Sequence, residues 1–380
     1  MSLSLVATCA VGLEPFLLEE LGRLPALEVE AQKGAVAFRG DWPLVWQANL
    51  CLRTANRVLL ELGSFPAGDG EALARGAQEL VESEIRWSGL SARELFDPAL
   101  TLVVRATTSH SAITDPRWAA LKAKDGVVDG QRRRFGQRST VAREDPDLAL
   151  RVWLANDRAT LLLDTSGEPL DRRGYRLAAG EAPVREQLAA AAVLASGWQG
   201  GTPVADPMCG VGTLLAEAGW IGSGFPPGGL RKRFGFHRLP GFDADAYARL
   251  RREQLPPGPR EVRLFGVDRS ESAIEGAWRN LARAGLARSA QLQVADGFHW
   301  SPPAGPGLVV VNPSYGSRLA EEPDQWRRLG DLLKQRYAGW TAVVLAGDAG
   351  LGKWIGLKPR RRWPVKNGPL EIRILVFDLY

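Results

Sequence analysis

The stretch VADPMCGVGTLLAEAG, residues Val204–Gly219, decides how the rest of the sequence is interpreted. An apolar run ends in Asp206, a turn containing Gly210 and Gly212 follows, and a helical apolar pattern begins at Leu214. Strand, glycine turn and helix in this order lay a polar ligand across the carboxyl edge of a parallel strand. The glycines let backbone N–H groups approach the ligand, where a Cβ would hold it away. The stretch therefore predicts an α/β sheet with a ligand site at this turn.

Polar residues also follow the next strands of the predicted sheet. The four apolar strands that begin with residues 203, 263, 291 and 308 end in Asp206, Asp268, Asp296 and Asn312. A fifth strand at 341–345 and a hairpin with an Asn367-Gly368 turn complete a predicted set of seven. Because the carboxyl ends of parallel strands line one edge, the four polar tips are expected to form one site. Asp268, at the tip of the second strand, is placed to accept hydrogen bonds from ribose hydroxyls.

The composition indicates a globular protein with a basic balance. The chain has 380 residues, 45% of them hydrophobic and 24% charged, and a formal net charge of +5. This length allows two or three domains with substantial cores. A net positive charge is typical of proteins that bind a polyanion such as nucleic acid. It is equally typical of proteins whose surfaces carry many solvated arginines.

The cysteines and the apolar runs exclude several classes of protein. Cys9, Cys51 and Cys209 have no paired spacing, so neither a disulfide framework nor a metal site is indicated. No apolar stretch approaches the ~18 residues that a membrane helix needs, and no signal peptide is evident. We expect a cytoplasmic protein without metal or membrane partner, whose oligomeric state the sequence leaves open.

The N-terminal part reads as two α+β units. Residues 1–56 contain a strand, an amphipathic helix, a hairpin and a second helix, and residues 57–163 form the second unit. Residues 164–380 then form the α/β domain. The second unit carries a cationic stripe around one helix and the following loop: Lys122, Lys124, Arg132, Arg133, Arg134 and Arg138. This stripe is interpreted either as a phosphate-contacting surface or as an ordinary exposed helix face.

A Gly-, Pro- and Arg-rich insertion interrupts the α/β domain at Pro226–Gly241. Its irregular composition predicts a flexible excursion or a substrate-facing loop, and no part of the core. His237 within it is expected to be incidental, since a lone loop histidine is seldom catalytic.

The glycine spacing excludes a dinucleotide fold, because Leu215 stands where the third glycine of G-x-G-x-x-G would be. Instead, the chain resembles class I S-adenosylmethionine-dependent methyltransferases. More narrowly, it resembles the bacterial THUMP-domain RNA guanine-N2 methyltransferases that act on 23S ribosomal RNA, with the tRNA guanosine-N2 enzymes as near relatives. The segments that carry the resemblance span most of the chain: ATCAVGLEPFLLEEL, AKDGVVDGQRRR, LDTSGEPLDRRGYR, APVREQLAAAAVL, DPMCGVGTLLAEA, FGVDRSESAIEGAWRNLARAGL, NPSYGSRL and NGPLEIRILVF.

The resemblance implies a ferredoxin-like unit, a THUMP RNA-binding domain and a Rossmann-like seven-stranded methyltransferase domain, in that order. It implies S-adenosylmethionine as cofactor and ribosomal or transfer RNA as partner. The cofactor-binding residues would be Asp206, Met208, Cys209, Gly210, Gly212, Thr213, Asp268, Arg269, Asp296 and Gly297. Gly210 and Gly212 would lie along the methionine part, and Asp296 would meet the adenine. Asn312, Pro313 and Tyr315 would hold the target base.

One departure from the family pattern is Ser314, which stands where a second proline is usual. The two acceptors, the Asn312 side-chain oxygen and the Pro313 carbonyl, are retained, so we expect an active enzyme with a less rigid loop. They would orient an exocyclic amine for direct displacement, while Tyr315 would stack on a flipped-out or single-stranded base. Cys209 lies in the cofactor turn and is not expected to act as a nucleophile.

Other functions remain open at this point. A protein glutamine-N5 methyltransferase would use a motif of the same Asn-Pro-Pro-Tyr type, because an amide nitrogen poses the same chemical problem. A non-catalytic RNA-binding factor with a relic cofactor pocket has only Ser314 in its favour. The two basic N-terminal units favour RNA, although ribosomal and transfer RNA are not distinguished.

Overall fold

A computed structural model describes residues 2–178, 184–256, 261–313, 323–347, 350–367 and 370–380. Two sequence predictions involve residues outside these ranges: the roles of Ser314 and Tyr315, and the glycine of the Asn367-Gly368 turn.

The first unit alternates strands with two helices. Its elements are β1 (Leu3–Thr8), α1 (Glu14–Gly22), β2 (Leu27–Gln32), β3 (Ala35–Gly40) and α2 (Trp42–Cys51). Helix α2 begins after Asp41, whose carboxylate accepts a 3.0 Å hydrogen bond from the Leu44 N–H. This cap satisfies one of the free N–H groups of the first helical turn.

The second unit continues the sheet of the first. Its elements are β4 (Arg57–Pro66), α3 (Gly70–Glu82), β5 (Arg86–Trp87), β6 (Leu90–Ser91), α4 (Ala92–Leu95), β7 (Leu102–Ser109), α5 (Pro116–Phe135), β8 (Leu148–Ala155) and β9 (Arg158–Asp164). Strand β4 pairs with β1 on one side and β9 on the other, giving one seven-stranded sheet in the order β2-β3-β1-β4-β9-β8-β7. The two units that the sequence suggests separately therefore share one sheet, whereas the predicted borders 56/57 and 163/164 remain predictions.

The third unit has the predicted seven-stranded sheet. Its elements are α6 (Glu186–Ser196), β10 (Val204–Asp206), α7 (Thr213–Ser223), α8 (Ala244–Gln254), β11 (Leu264–Asp268), α9 (Glu271–Arg283), β12 (Ala290–Val294), β13 (Leu308–Val311), α10 (Pro323–Arg336), β14 (Thr341–Ala346), β15 (Arg361–Asn367) and β16 (Leu370–Asp378). Short 3₁₀ turns lie at Gly235–Arg238, Ala287–Ser289 and Leu351–Ile355. The strand order is β12-β11-β10-β13-β14-β16-β15, and the first five strands are parallel to one another.

The central strand β13 is buried on both faces, as its unbroken apolar sequence predicts. Leu308 and Val310 belong to the large core that includes helices α6 and α7. Val309 and Val311 belong to a separate core against α10. The sheet is thus the middle layer of three, between these two cores.

The expectation that the insertion at Pro226–Gly241 forms no part of the core is wrong. Phe234 and Phe236 are buried in the main core, and the Gly228 N–H donates to the Leu50 carbonyl at 2.9 Å. The buried Arg231 guanidinium donates to four backbone carbonyls, those of Ser166, Glu168, Pro169 and Arg172. Its aromatic residues bury enough apolar surface to order a segment that has little regular structure.

His237 packs in this insertion against aromatic rings, including those of Phe236 and Tyr247. Burial lowers the pKa of its imidazole to about 4, with further lowering by Arg233 and Arg251. The neutral imidazole packs among these rings, which is consistent with the expectation that His237 is not catalytic.

No helix in the described ranges is long and apolar enough to cross a membrane.

Candidate functional site

The turn between β10 and α7 is held in place by two hydrogen bonds that its backbone N–H groups donate to residues of β11. The Cys209 N–H donates to the Val267 carbonyl at 2.9 Å, and the Gly210 N–H donates to Asp268 Oδ2 at 2.9 Å. Gly210 and Gly212 have φ angles of +50° and +78°, a region that residues with a Cβ seldom adopt. Helix α7 begins at Thr213 immediately after Gly212. The glycines are therefore required by the turn, in which Gly210 is half-buried at the sheet edge and Gly212 is buried.

Asp206 lies at the bottom of this turn and is almost completely buried, with 1% of its surface exposed. Its Oδ1 accepts a 3.0 Å hydrogen bond from the Met208 N–H. Burial raises the pKa of its carboxyl to about 8; the Met208 hydrogen bond opposes this rise and the charge of Asp268 adds to it. The Asp206 carboxyl thus helps to fix the backbone of the turn through its hydrogen bond with the Met208 N–H.

Asp268 lies at the tip of the adjacent strand, where the parallel pairing of β10 with β11 places it beside the turn. Its Oδ1 accepts from the Ser270 N–H at 3.0 Å, and the Ser270 hydroxyl in turn caps helix α9. Arg269 is exposed beside it. The carboxylate is therefore fixed from both sides and half-exposed at the edge.

The loop after β12 packs directly against the first turn. Asp296 Oδ1 accepts from the Phe298 N–H at 3.0 Å, while a Cβ added at Gly297 would lie only 1.9 Å from the Pro207 carbonyl oxygen. Glycine is therefore the only residue that allows this close approach. The structure brings Asp296 to the same edge as Asp206 and Asp268.

The strand β13 ends at Val311, and Asn312 and Pro313 follow it, half-buried, between the tips of β10 and β14. Asn312 Oδ1 is buried and accepts no hydrogen bond from any residue in the described ranges. A buried acceptor without a partner is uncommon in folded proteins and costs about 1–3 kcal/mol. An acceptor left open at this edge is suited to a ligand that brings N–H donors.

Cys209 is buried within the turn. Burial raises the pKa of its thiol well above the ordinary value, and the negative charges of Asp206 and Asp268 add to the rise. A thiol that stays protonated is a poor nucleophile. This agrees with the expectation that Cys209 has no covalent role.

Five members of the cationic stripe lie on α5, and the exposed Arg138 follows the helix. Arg132 and Arg133 are exposed and form ion pairs with Asp129 at 3.0 Å and Glu82 at 3.9 Å. Lys122 is half-buried with its ammonium 5.7 Å from the Trp118 ring. Lys124 pairs with Asp125 at 2.5 Å. Arg134 donates to the Val81 and Ser83 carbonyls at the end of α3, an arrangement that stabilises the negative end of the helix dipole. RNA contact by the stripe remains a prediction.

Two residues that sequence reasoning missed join the turn to the segment before it. The buried Asn280 side chain donates to the Val211 carbonyl at 2.9 Å and accepts from the Leu177 and Ala178 N–H groups. Arg176 donates to Thr213 Oγ1 at 3.2 Å and to Glu186 at 2.7 Å. Neither role has a local signal, because Thr213 is 37 residues from Arg176 and Val211 is 69 residues from Asn280.

Known proteins resemble the chain throughout its length. Family profiles match the RlmL ferredoxin-like domain at residues 4–59, the THUMP domain at 77–164 and the RMKL-like methyltransferase domain at 173–375. A Synechocystis sp. protein named as an RNA methyltransferase is 36% identical over 380 residues, covering 98% of this chain and 96% of that protein.

A second relative is the ribosomal RNA large subunit methyltransferase K/L of Methylococcus capsulatus, 36% identical over 391 residues. The match covers 100% of this chain and 52% of that enzyme, so the chain spans about half of its length. Among solved structures, SMU.472, described as a methyltransferase and crystallised with SAH, superposes with a TM-score of 0.87 at 26% identity. That superposition covers 100% of this chain and 98% of SMU.472.

Proposed function

We propose a specific reaction for this chain, which belongs to the RMKL-like methyltransferase family with RlmL-type ferredoxin-like and THUMP domains. As a family member it is an S-adenosylmethionine-dependent RNA methyltransferase. Our proposal is that it methylates the exocyclic N2 of a guanosine in 23S ribosomal RNA. A ribosomal substrate would place the enzyme in the cytoplasm. The observation that carries the proposal is Asn312 Oδ1 at the tip of β13, a buried acceptor with no hydrogen-bond partner among the described residues.

The residues at the sheet edge fit the cofactor. Gly210 and Gly212 adopt positive φ in the turn after β10, and the half-exposed Asp268 carboxylate beside it offers acceptors for ribose hydroxyls. Asp296 lies at the next tip, where it would meet the adenine amino group. Met208, Cys209, Thr213, Arg269 and Gly297 would complete the binding site. The bound cofactor supplies an electrophilic methyl group on a sulfonium.

The chain's own contribution to chemistry is orientation of the amine. An exocyclic amine conjugated with a purine ring is a weak nucleophile, and two acceptors on its N–H groups can direct its lone pair toward the methyl group. Asn312 Oδ1 and the Pro313 carbonyl are the acceptors we assign. They also stabilise the positive charge that develops on nitrogen. Tyr315 is proposed to stack on the base, which must leave any duplex before reaction.

Support for ribosomal RNA comes from the large-subunit enzyme among the relatives, and support for RNA in general from the THUMP domain. A transfer RNA guanosine is the second candidate, because the same site chemistry serves either RNA. A glutamine side-chain amide is a third, and a non-catalytic factor is a fourth.

Methyl transfer from labelled S-adenosylmethionine separates these candidates. The enzyme is incubated with ribosomal RNA from a strain lacking it, with total transfer RNA, and with total protein. We expect label in large-subunit RNA and N2-methylguanosine on nucleoside analysis. Label in protein alone would refute the RNA assignment, and N6-methyladenosine would refute the choice of base. Absence of both transfer and cofactor binding would favour the non-catalytic factor.

A further inference from the structure

We propose that Arg328, with Arg327 and Lys353, forms a phosphate clamp for the RNA segment next to the target nucleotide. The inference rests on the proposed function, since it concerns the same RNA at the same site. The three cations are exposed and belong to α10 and to the 3₁₀ turn Leu351–Ile355.

Each cation lies over an aromatic ring. The Arg328 guanidinium carbon is 4.3 Å from the Phe298 ring centroid. The corresponding carbon of Arg327 lies 4.5 Å, and the Lys353 ammonium 5.0 Å, from the ring of Trp354. These contacts restrict long side chains that would otherwise lose entropy when they bind a ligand.

Stacking leaves the donors of Arg328 available. A guanidinium stacks through its planar face, whereas its five N–H groups point outward in the plane and match a phosphate. Within the described ranges, Arg328 has no hydrogen bond or ion pair, while Arg327 pairs with Asp324 at 2.5 Å. Arg328 is thus held over the Phe298 ring, and its N–H groups have no partner within the described ranges.

The position of Phe298 connects Arg328 to the reacting edge. Phe298 follows Gly297, which abuts the Pro207 carbonyl in the cofactor turn. Phe298, Trp354 and Met208 all pack against the same core beneath the edge. Helix α10 runs back from the side of the sheet where β13 ends, so its early residues lie toward the carboxyl edge. A strand delivering its base to Asn312 would pass these cations, and its phosphates match their charge.

Arg361 provides a matched control within the chain. It is exposed, and its guanidinium lies 5.9 Å from the Trp363 ring, but it belongs to edge strand β15, three strands away from β13. Arg328→Ala and Arg361→Ala remove the same charge from similar surroundings. Arg328→Lys keeps the charge and loses the planar fork.

Binding to deproteinised 23S ribosomal RNA is measured over a range of salt concentrations, with SAH affinity and steady-state methylation in parallel. For Arg328→Ala we expect about tenfold weaker RNA binding and a salt slope smaller by about 0.7, the value for one phosphate on a single strand. KM for RNA should rise, whereas kcat and SAH affinity should be unchanged. The RNA affinity of Arg328→Lys should lie between those of wild type and Arg328→Ala.

Equal RNA affinity and salt slope in Arg328→Ala and Arg361→Ala would overturn the clamp while leaving the proposed reaction intact. Methylation of a different base, with the clamp effects present, would overturn the proposed base and leave the clamp. A wild-type enzyme that neither binds nor methylates RNA would overturn both.

Discussion

The backbone N–H of Gly210 donates a 2.9 Å hydrogen bond to the carboxylate of Asp268, between the tips of β10 and β11. This bond joins the glycine turn to the proposed ribose acceptor, so the two halves of the proposed cofactor site hold each other in place. Asp268 also accepts from the Ser270 N–H, which ties it to the start of α9.

Asp268→Ala should therefore weaken cofactor binding in two ways, by removing the ribose acceptors and by releasing the turn. Hydrogen bonds to charged groups contribute about 1.5–3 kcal/mol each, so we expect SAH affinity to fall at least tenfold in calorimetry. Asp243→Ala is the control, because Asp243 only caps α8 through the Ala246 N–H. An Asp268→Ala enzyme with wild-type SAH affinity would remove Asp268 from the cofactor site.

Asn312→Ala should separate catalysis from folding. The substitution removes an acceptor that has no partner in the described structure, so thermal stability should be unchanged or slightly increased. Loss of an oriented acceptor costs about 10²–10³-fold in kcat in comparable sites, and we expect a decrease of that order with SAH binding retained. An unchanged rate constant for methyl transfer in a single-turnover experiment would exclude Asn312 from the mechanism.

Gly297→Ala should disturb the contact between the first and third strand tips. The new Cβ would lie 1.9 Å from the Pro207 carbonyl oxygen, which is backbone and cannot turn away as a side chain can. Overpacking of this kind costs about 1–3 kcal/mol, and the shift of Pro207 should also weaken SAH binding. Gly68→Ala is the control, since a Cβ there meets nothing within 4 Å. Equal melting temperatures for the two variants would contradict this account of Gly297.

Asp206 should make stability depend on pH. Its carboxyl has a pKa of about 8 in the folded protein, against an ordinary value of 3.8. Between these two pH values the Asp206 carboxyl is protonated in the folded state and ionised in the unfolded state. Its contribution to folding stability is therefore fully present below about pH 4 and is lost as the pH rises through about 8. Asp206→Asn removes that dependence, and its melting temperature relative to wild type should increase from pH 5 to pH 8.

Asp147→Asn is the control for this pH series. Hydrogen bonds from Thr101 lower the pKa of Asp147, so its stabilising effect is lost only in acid, below the range tested. The difference in melting temperature between Asp147→Asn and wild type should stay constant between pH 5 and pH 8. The same constancy in Asp206→Asn would show that the Asp206 carboxyl is already ionised in the folded protein.

The sheet and its polar tips could be predicted because their signals are local. The apolar run of β13 followed by Asn312, and the turn between Asp206 and Leu214, each lie within a few consecutive residues. The insertion at Pro226–Gly241 was predicted wrongly, because Gly and Pro content dominates its composition while its order comes from Phe234 and Phe236 in a distant core. The first two units also share one sheet, because β4 pairs with β1 of the first unit and with β9 of the second. This pairing joins strands that are far apart in sequence and has no local signal.

By itself the sequence determined the kind of site: a glycine turn, two acids and an Asn-Pro pair at successive strand ends, in the order of a methyltransferase. Only the tertiary structure decided how these groups are held. Asn280 reaches Val211 across 69 residues, and Asp268 reaches Gly210 across 58. The stacking of Arg328 on Phe298 also appears only after folding. Strand periodicity is encoded between neighbours, whereas the burial and pairing of polar groups depend on residues that folding alone brings together.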